Sequence, residues 1–121
     1  LQDKPKVVCD TAHNREGLTY VMKQISNEVF QSLHIVFGVV NDKDLNSILD
    51  LLPINATYYF CKPNIPRGLN AEDLKSALNK HGLIGDAYNS VNEAYKTALI
   101  SAKPNDFVFI GGSTFVVAEI I

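Results

Sequence analysis

The sequence lacks the features that mark several classes of protein. No apolar run approaches the roughly 20 residues that cross a bilayer, and the opening "LQDKPK" has no apolar core of the kind found in a signal peptide. The net charge at pH 7 is only −2, which gives no electrostatic argument for binding nucleic acid or an anionic membrane. We therefore expect no nucleic-acid partner, no membrane partner and a cytoplasmic location.

Cysteine is scarce, and the common phosphate-binding motifs are missing. Cys9 and Cys61 are the two cysteines, and we expect free thiols because nothing in the sequence suggests secretion. No Cys and His residues have the spacing of a zinc site, so we predict no metal site in this chain. The sequence contains neither G-x-x-x-x-G-K-[ST] nor G-x-G-x-x-G. If the protein uses ATP, the triphosphate must be held elsewhere.

The composition that remains is that of one ordinary globular domain. The chain has 121 residues, of which 46% are apolar and 20% are charged, and this size and balance suit a single core. The sequence begins with Leu1 and stops at Ile121, inside a pattern that still predicts helix. We therefore expect residues 1–121 to be one domain of a longer protein.

Strand and helix patterns alternate along the chain. Short apolar runs rich in β-branched or aromatic residues predict strands, and apolar residues three and four positions apart predict helices. The predicted strands are residues 6–9, 33–40, 56–61, 86–89 and 106–112, and the predicted helices are 15–30, 44–52, 70–81, 90–102 and one beginning at Ser113. This order predicts an α/β fold, a mainly parallel sheet with helices on both faces.

Local signals support the helix boundaries. Asn70 and Ser90 are expected N-caps, the second within an S-x-x-E capping box. Pro53 and Gly82 are expected to end the second and third helices. The apolar stripe of the first helix is expected to contain Leu18, Val21, Met22, Ile25, Val29 and Phe30.

The loops after the strands are the candidate site, because ligands of an open parallel sheet bind beyond the carboxyl ends of its strands. Acids, amides, cations and a hydroxyl concentrate in four of these loops: Asp10, His13 and Asn14; Asn41, Asp42, Lys43 and Asp44; Arg67; and Ser113. The sequence therefore predicts a polar site at one edge of the sheet, with Asp10 and Ser113 facing a shared cleft.

The first of these loops offers an acid, an imidazole and an amide. A carboxylate near a helix N-terminus repels phosphate but accepts hydrogen bonds well, so Asp10 suits a sugar hydroxyl. The alternative is that Asp10 only caps the helix. His13 can donate to an anion or transfer a proton, or it is simply a solvated loop residue. Asn14 is itself a candidate cap, and His34 and His81 are interpreted as structural.

The remaining loops leave two interpretations open. The run Gly111-Gly112-Ser113 before a helix fits a weak anion site, and it fits a plain turn with a Ser cap equally well. Lys43 and Arg67 are either anion contacts or surface charges.

The same order of strands and helices occurs in phosphorylated receiver domains, which need two acids after the first strand and an Asp after the third. This chain has one acid, Asp10, after its first strand and Cys61-Lys62 after its third. The sequence therefore disfavours a receiver domain.

Four segments resemble one known family. "VVCDTAHNREGL" resembles the D-x-AHN-P-x-G segment that opens the C-terminal domain of folylpolyglutamate synthase and dihydrofolate synthase, which are Mur-type ATP-dependent amide ligases. "VFGVVNDKDLNSILDLL", "CKPNIPRGLNAEDL" and "FIGGSTFVVAEII" resemble later segments of that domain, in the same order. Arg15 stands where the family usually has Pro, and Thr11 where a small residue is frequent. These departures leave the polar residues in place.

The resemblance implies a fold and a reaction. The domain is expected to be Rossmann-like, with five to six strands, and to follow an N-terminal domain that holds the phosphate loop and the Mg ligands. ATP activates the carboxylate of dihydropteroate or folate as an acyl phosphate, and L-glutamate attacks to form an amide. By resemblance, Asp10 and Asn14 belong to the ATP site and Ser113 to the glutamate site. His13 is the expected catalytic residue and also contacts glutamate.

Two other functions remain open at this stage. The chain could be the equivalent domain of a muramyl-peptide or cyanophycin-type ligase, although the arginine-rich loop and end signature usual in muramyl-peptide ligases are not recognised here. It could also be a non-catalytic module that binds small molecules. For the preferred function, we expect the isolated domain to be inactive.

Overall fold

The protein forms a sheet whose strands follow the predicted order. The structure is a computed structural model that describes residues 2–12, 14–41 and 45–121. Among the described residues, six strands form one sheet in the order β1-β2-β6-β3-β4-β5. Their bounds are β1 Gln2–Asp3, β2 Lys6–Cys9, β3 Leu33–Phe37, β4 Thr57–Phe60, β5 Gly85–Ala87 and β6 Phe107–Gly111. All neighbours are parallel except β1, which is antiparallel to β2.

The five predicted strands are confirmed, and β1 was not predicted. Two residues carry no periodic pattern, so nothing in the sequence marks β1. The predicted strand 33–40 ends at Phe37, because the residues after Phe37 form a backbone hydrogen bond with Leu69, which lies outside the sheet. There the Leu69 N–H donates to the carbonyl of Val39 over 2.9 Å.

Helices cover both faces of the sheet, as predicted. They are α1 Arg15–Ser26, α2 Ala71–Asn79, α3 Val91–Ser101 and α4 Thr114–Ala118. One core cluster joins α1 and α2 to one face, with buried residues such as Leu18, Ile35 and Leu74. The other cluster joins α3 and α4 to the opposite face, with Val36, Ala94 and Val116. Burial of these apolar faces fixes the helices on the sheet.

The helix predicted at 44–52 is wrong within the described residues. Leu45–Ser47 and Leu49–Leu51 form two short 3-10 turns instead. In an α-helix the Leu51 N–H would bond to the carbonyl of Ser47. That carbonyl accepts from the Arg15 guanidinium over 2.8 Å, and Leu51 N–H donates to Ile48 over 3.0 Å.

The first helix is shorter than predicted. It ends at Ser26, and Val29 is fully exposed rather than part of the apolar stripe. Phe30 does contact the core from outside the helix, with its ring 5.7 Å from that of Phe107. The remaining stripe positions face the core cluster as predicted.

The predicted caps and thiols are confirmed. The side chain of Asn70 accepts from the N–H of Glu72 over 2.8 Å, and Ser90 accepts from Glu93 over 3.0 Å. Gly82 has a positive φ of 80° just after α2, as its predicted stop role requires. Cys9 and Cys61 are free thiols.

Candidate functional site

The candidate site lies at the carboxyl ends of two adjacent strands whose following helices pack on opposite faces of the sheet. Strands β2 and β6 are adjacent and parallel, yet α1 follows β2 onto one face and α4 follows β6 onto the other. Such a divergence opens a crevice at the carboxyl edge of a sheet. The Asp10 N–H donates to Ile110 over 3.1 Å and the Gly38 N–H to Gly111 over 3.3 Å. The loops of Asp10 and Ser113 therefore meet at one edge, as predicted.

Asp10 does not cap α1. Its Oδ1 accepts from the N–H of Ala12 over 2.8 Å, which is a bond within the loop, and the cap of α1 is Asn14. The alternative interpretation of Asp10 as a helix cap is therefore wrong. A carboxylate has about four lone-pair positions, so this local bond orients Asp10 without exhausting its capacity to accept from a ligand.

Asn14 has a structural role that limits what else it can do. Its Oδ1 accepts from the N–H of Gly17 over 2.8 Å, which satisfies one of the free donors at the start of α1. The oxygen of Asn14 is therefore committed to the helix. Its amide nitrogen stays available to donate to a ligand.

Ser113 caps α4 from a buried position. Its Oγ accepts from the N–H of Phe115 over 3.1 Å, and the residue is only 3% exposed. A hydroxyl that accepts in this way keeps its own proton for donation. The cap and a ligand contact are thus compatible at this residue.

The two glycines before Ser113 are explained by contacts within the protein. Gly112 has a φ of +98°, and a Cβ there would lie 2.4 Å from the carbonyl oxygen of Gly38. A Cβ at Gly111 would lie 2.6 Å from the ring of Phe109. Tight packing of the turn against β3 and its own strand requires both glycines. The turn interpretation accounts for them without a ligand.

A short ribbon pairs the segments that follow β3 and β4. Residues 39–41 run antiparallel to residues 67–69, through an isolated bridge between Val40 and Gly68 and a bond from the N–H of Asn41 to the carbonyl of Arg67. This pairing brings two of the predicted polar residues, Asn41 and Arg67, together. It joins segments far apart in the sequence, so no local pattern announces it.

The comparisons with known proteins identify the domain. The family model described as "Mur ligase, glutamate ligase domain" matches residues 1–114. The chain belongs to this family. The resemblance inferred from the four sequence segments is confirmed.

The Mur ligase domain is similar to several enzymes of folate metabolism. It is 34% identical over 117 residues to a probable bifunctional folylpolyglutamate synthase/dihydropteroate synthase of Haloferax volcanii, with 96% of this chain and 14% of that protein covered. It is 30% identical over 125 residues to the dihydrofolate synthase/folylpolyglutamate synthase of Escherichia coli, with 100% of this chain and 28% of that protein covered. The chain thus spans a small part of the curated relatives it matches.

Solved structures share the fold. Escherichia coli FolC in complex with DHPP and ADP has a TM-score of 0.88 and 29% identity, and the match covers 99% of this chain and 28% of that one. A bifunctional folylpolyglutamate synthase/dihydrofolate synthase of Yersinia pestis, complexed with AMPPNP and Mn ion, has a TM-score of 0.86 and 25% identity, with 99% of this chain and 28% of that one covered. The predicted Rossmann-like α/β fold is confirmed.

An ion pair beside the crevice was not anticipated. The guanidinium of Arg15, the first residue of α1, binds both carboxylate oxygens of Asp50 at 2.7 and 2.9 Å. The hydrogen bond from Arg15 holds the pKa of Asp50 below its usual range. No spacing rule links residues 35 positions apart, so the sequence gives no signal for this pair.

Several predicted site residues cannot be placed. His13, Asp42, Lys43 and Asp44 lie outside the described residues. Of the other histidines, His34 is structural, as predicted: it is buried at the start of β3, away from the carboxyl edge, and bonds to Tyr59 and Asp106.

The described ranges bring together no group of three or more His, Cys, Asp or Glu residues able to hold a metal. In the same ranges, no helix has the length and apolar character that a bilayer crossing needs.

Proposed function

We propose that residues 1–121 form the C-terminal glutamate ligase domain of a folylpolyglutamate synthase/dihydrofolate synthase. The full-length protein would use ATP to join L-glutamate to dihydropteroate or folate, and it would work in the cytoplasm. The observation that carries this proposal is that the loops of Asp10 and Ser113 meet at one edge of the sheet in a chain of the Mur ligase family. The similarity to relatives named for these two activities supports the choice of substrates.

The proposed reaction has two steps. The carboxylate oxygen of the folate substrate attacks the γ-phosphorus of ATP, which gives an acyl phosphate and ADP. The amino nitrogen of L-glutamate then attacks the acyl carbon, the C–O bond to phosphate breaks, and the nitrogen loses a proton. The products are an amide, ADP and phosphate. Of this domain's residues, we assign His13 to the removal of that proton.

The described residues fit the binding roles. Asp10 accepts a hydrogen bond from a ribose hydroxyl of ATP, for which its carboxylate keeps lone pairs beyond the bond to Ala12. Asn14 donates to the nucleotide through its amide nitrogen. Ser113 donates its hydroxyl proton to a carboxylate of glutamate while its oxygen continues to accept from Phe115. We assign the ligands of magnesium to the N-terminal domain, where the ion would supply neutralisation of phosphate charge.

The two domains would have to close on the substrates. The chain covers 28% of the Escherichia coli relative, and the phosphate-binding motif is missing from its own sequence. Holding the amine against the acyl phosphate can lower the barrier by about 7–11 kcal/mol. We therefore expect no turnover from this domain alone.

A labelling experiment tests the proposal. The full-length protein is incubated with ATP, L-glutamate and a folate substrate whose reacting carboxylate carries ¹⁸O. We expect one ¹⁸O atom in the released phosphate, because the acyl C–O bond breaks. AMP and pyrophosphate as products, or turnover with muramyl peptides or cyanophycin in place of folates, would contradict it. The matched control is the 121-residue chain under the same conditions.

A further inference from the structure

Arg15 connects the loop after β2 to the segment after β3. It makes three hydrogen bonds there: two to the carboxylate of Asp50, at 2.7 and 2.9 Å, and one to the carbonyl of Ser47, at 2.8 Å. A planar guanidinium that binds a carboxylate through two parallel bonds fixes orientation as well as distance. The start of α1 is therefore held in place from outside the helix.

The loop that Arg15 holds carries most of the candidate site. Its upstream end is fixed to the sheet, through the bond from the Asp10 N–H to Ile110. Its downstream end is the first turn of α1, where Asn14 caps the helix and the Leu18 N–H donates to the carbonyl of Asn14 over 2.9 Å. The Arg15–Asp50 ion pair joins this second end to the segment after β3, in addition to the burial of Leu18 in the core.

We propose that Arg15 is a positioning residue of the ligase site, which sets the position of Asp10 and Asn14 through its ion pair with Asp50. This inference rests on the proposed function. The guanidinium does not touch the substrate in this proposal, since the carboxylate of Asp50 and the carbonyl of Ser47 engage it. The pair acts by keeping the first turn of α1 in the conformation that aims the loop at the crevice.

A proline at position 15 provides a test of this role. Proline is favoured at the first position of a helix because its fixed φ already suits the first turn. Asn14 has φ −116° and ψ 171°, an extended conformation of the kind required before proline. R15P should therefore fix the same turn without any ion pair. R15A removes the pair and supplies nothing in its place.

The size of the effect is bounded by the strength of the pair. The side chains of Arg15 and Asp50 are 54% and 63% exposed, and exposed pairs are weak. A contact can shift a conformational equilibrium only by its own free energy. We therefore expect a loss of about three- to fivefold in kcat/KM for glutamate when the pair is removed, rather than a loss of catalysis.

The experiment compares variants of the full-length protein. R15A and D50A are each expected to lower kcat/KM by about three- to fivefold, and the double variant no further, because both remove one interaction. R15P should restore wild-type kinetics, and D50A should have no effect in the R15P background. The control is K75A, which breaks another exposed ion pair, Lys75–Asp86 at 3.5 Å, and should leave the kinetics unchanged.

Amide hydrogen exchange provides a second measurement that needs no catalysis. Exchange at Gly17 and Leu18 should rise by a similar factor in R15A and D50A, and return to the wild-type rate in R15P. Unchanged kinetics and exchange in R15A, or an R15P variant as impaired as R15A, would overturn the proposal. If the wild-type protein shows no ligase activity, the proposed function fails instead, and exchange alone decides the role of Arg15.

Discussion

The backbone N–H of Asp10 donates to the carbonyl oxygen of Ile110 over 3.1 Å, one residue beyond the end of β2. This bond continues the parallel pairing of β2 with β6 into the loops. Ser113 follows Ile110 by three positions in the chain. The carboxylate and the hydroxyl of the proposed site are thus held at one edge by the sheet itself, which is more rigid than a free loop.

Replacement of Asp10 should weaken nucleotide binding by the full-length protein. D10A removes an acceptor for a ribose hydroxyl, and we expect a loss of about 1–3 kcal/mol in the affinity for ADP, measured by titration calorimetry. D10N is the matched control, because an amide oxygen still accepts from the Ala12 N–H and from a hydroxyl, so its loss should be smaller. An unchanged affinity in D10A would remove Asp10 from the nucleotide site.

Replacement of Ser113 should raise the KM for glutamate. S113A loses the proton donor and also the cap of α4, so a binding effect must be separated from a loss of stability of about 1 kcal/mol. S90A serves as the control, because Ser90 also caps a helix, α3, but follows β5, the outer strand that β3 and β4 separate from β6. We expect S113A to raise KM by about tenfold, the effect of one charge-assisted hydrogen bond, with S90A near wild type. Equal KM values for the two variants would leave Ser113 with its structural role alone.

The sequence predicts the parts of this fold that local rules govern. The caps at Asn70 and Ser90 and the strand runs depend on residues close in the chain, and these predictions are confirmed. Residues 45–51 have a helical pattern, yet they form two 3-10 turns. The carbonyl of Ser47 there accepts a hydrogen bond from Arg15, a residue far away in the sequence. At the site, the order of elements predicts the shared edge of Asp10 and Ser113. The ribbon at Val40 and the Arg15–Asp50 ion pair join distant segments, which single-sequence patterns do not reveal.

Gly112→Ala should destabilise the protein more than Gly82→Ala does. Both glycines have positive φ, of 98° and 80°, so both variants lose about 1 kcal/mol or more to backbone strain. At Gly82 the nearest heavy atom to a new Cβ is 4.0 Å away, whereas at Gly112 the carbonyl oxygen of Gly38 is 2.4 Å away. Urea denaturation should therefore show an additional loss of about 1–3 kcal/mol in G112A. Equal losses in the two variants would mean that the turn moves freely away from β3.

A buried network at the opposite edge of the sheet is expected to stabilise the fold. His34 lies 2.8 Å from the hydroxyl of Tyr59 through Nδ1 and 2.9 Å from Oδ2 of Asp106 through Nε2. The same carboxylate oxygen accepts from the N–H of Lys103 over 3.0 Å. An ionised Asp106 only accepts, so Nε2 of His34 carries a proton, and in the neutral ring Nδ1 accepts from Tyr59.

Asp106→Asn should lower the stability in a pH-dependent way. Burial by itself raises the pKa of Asp106, but the N–H of Lys103 and the ring of His34 outweigh it, and the net pKa is lowered. A carboxyl group with a lowered folded pKa stabilises the protein above its unfolded pKa of about 3.9, and that contribution disappears as the pH falls through the folded value. We therefore expect D106N to lose about 1–3 kcal/mol near neutral pH, and the difference from wild type to narrow below about pH 4. Urea denaturation of the wild type and D106N over this pH range measures the free energy of unfolding at each pH. Asp86→Asn, which replaces an exposed carboxylate, is the control. A difference that stays constant down to about pH 2 would show that the stabilisation does not depend on ionised Asp106.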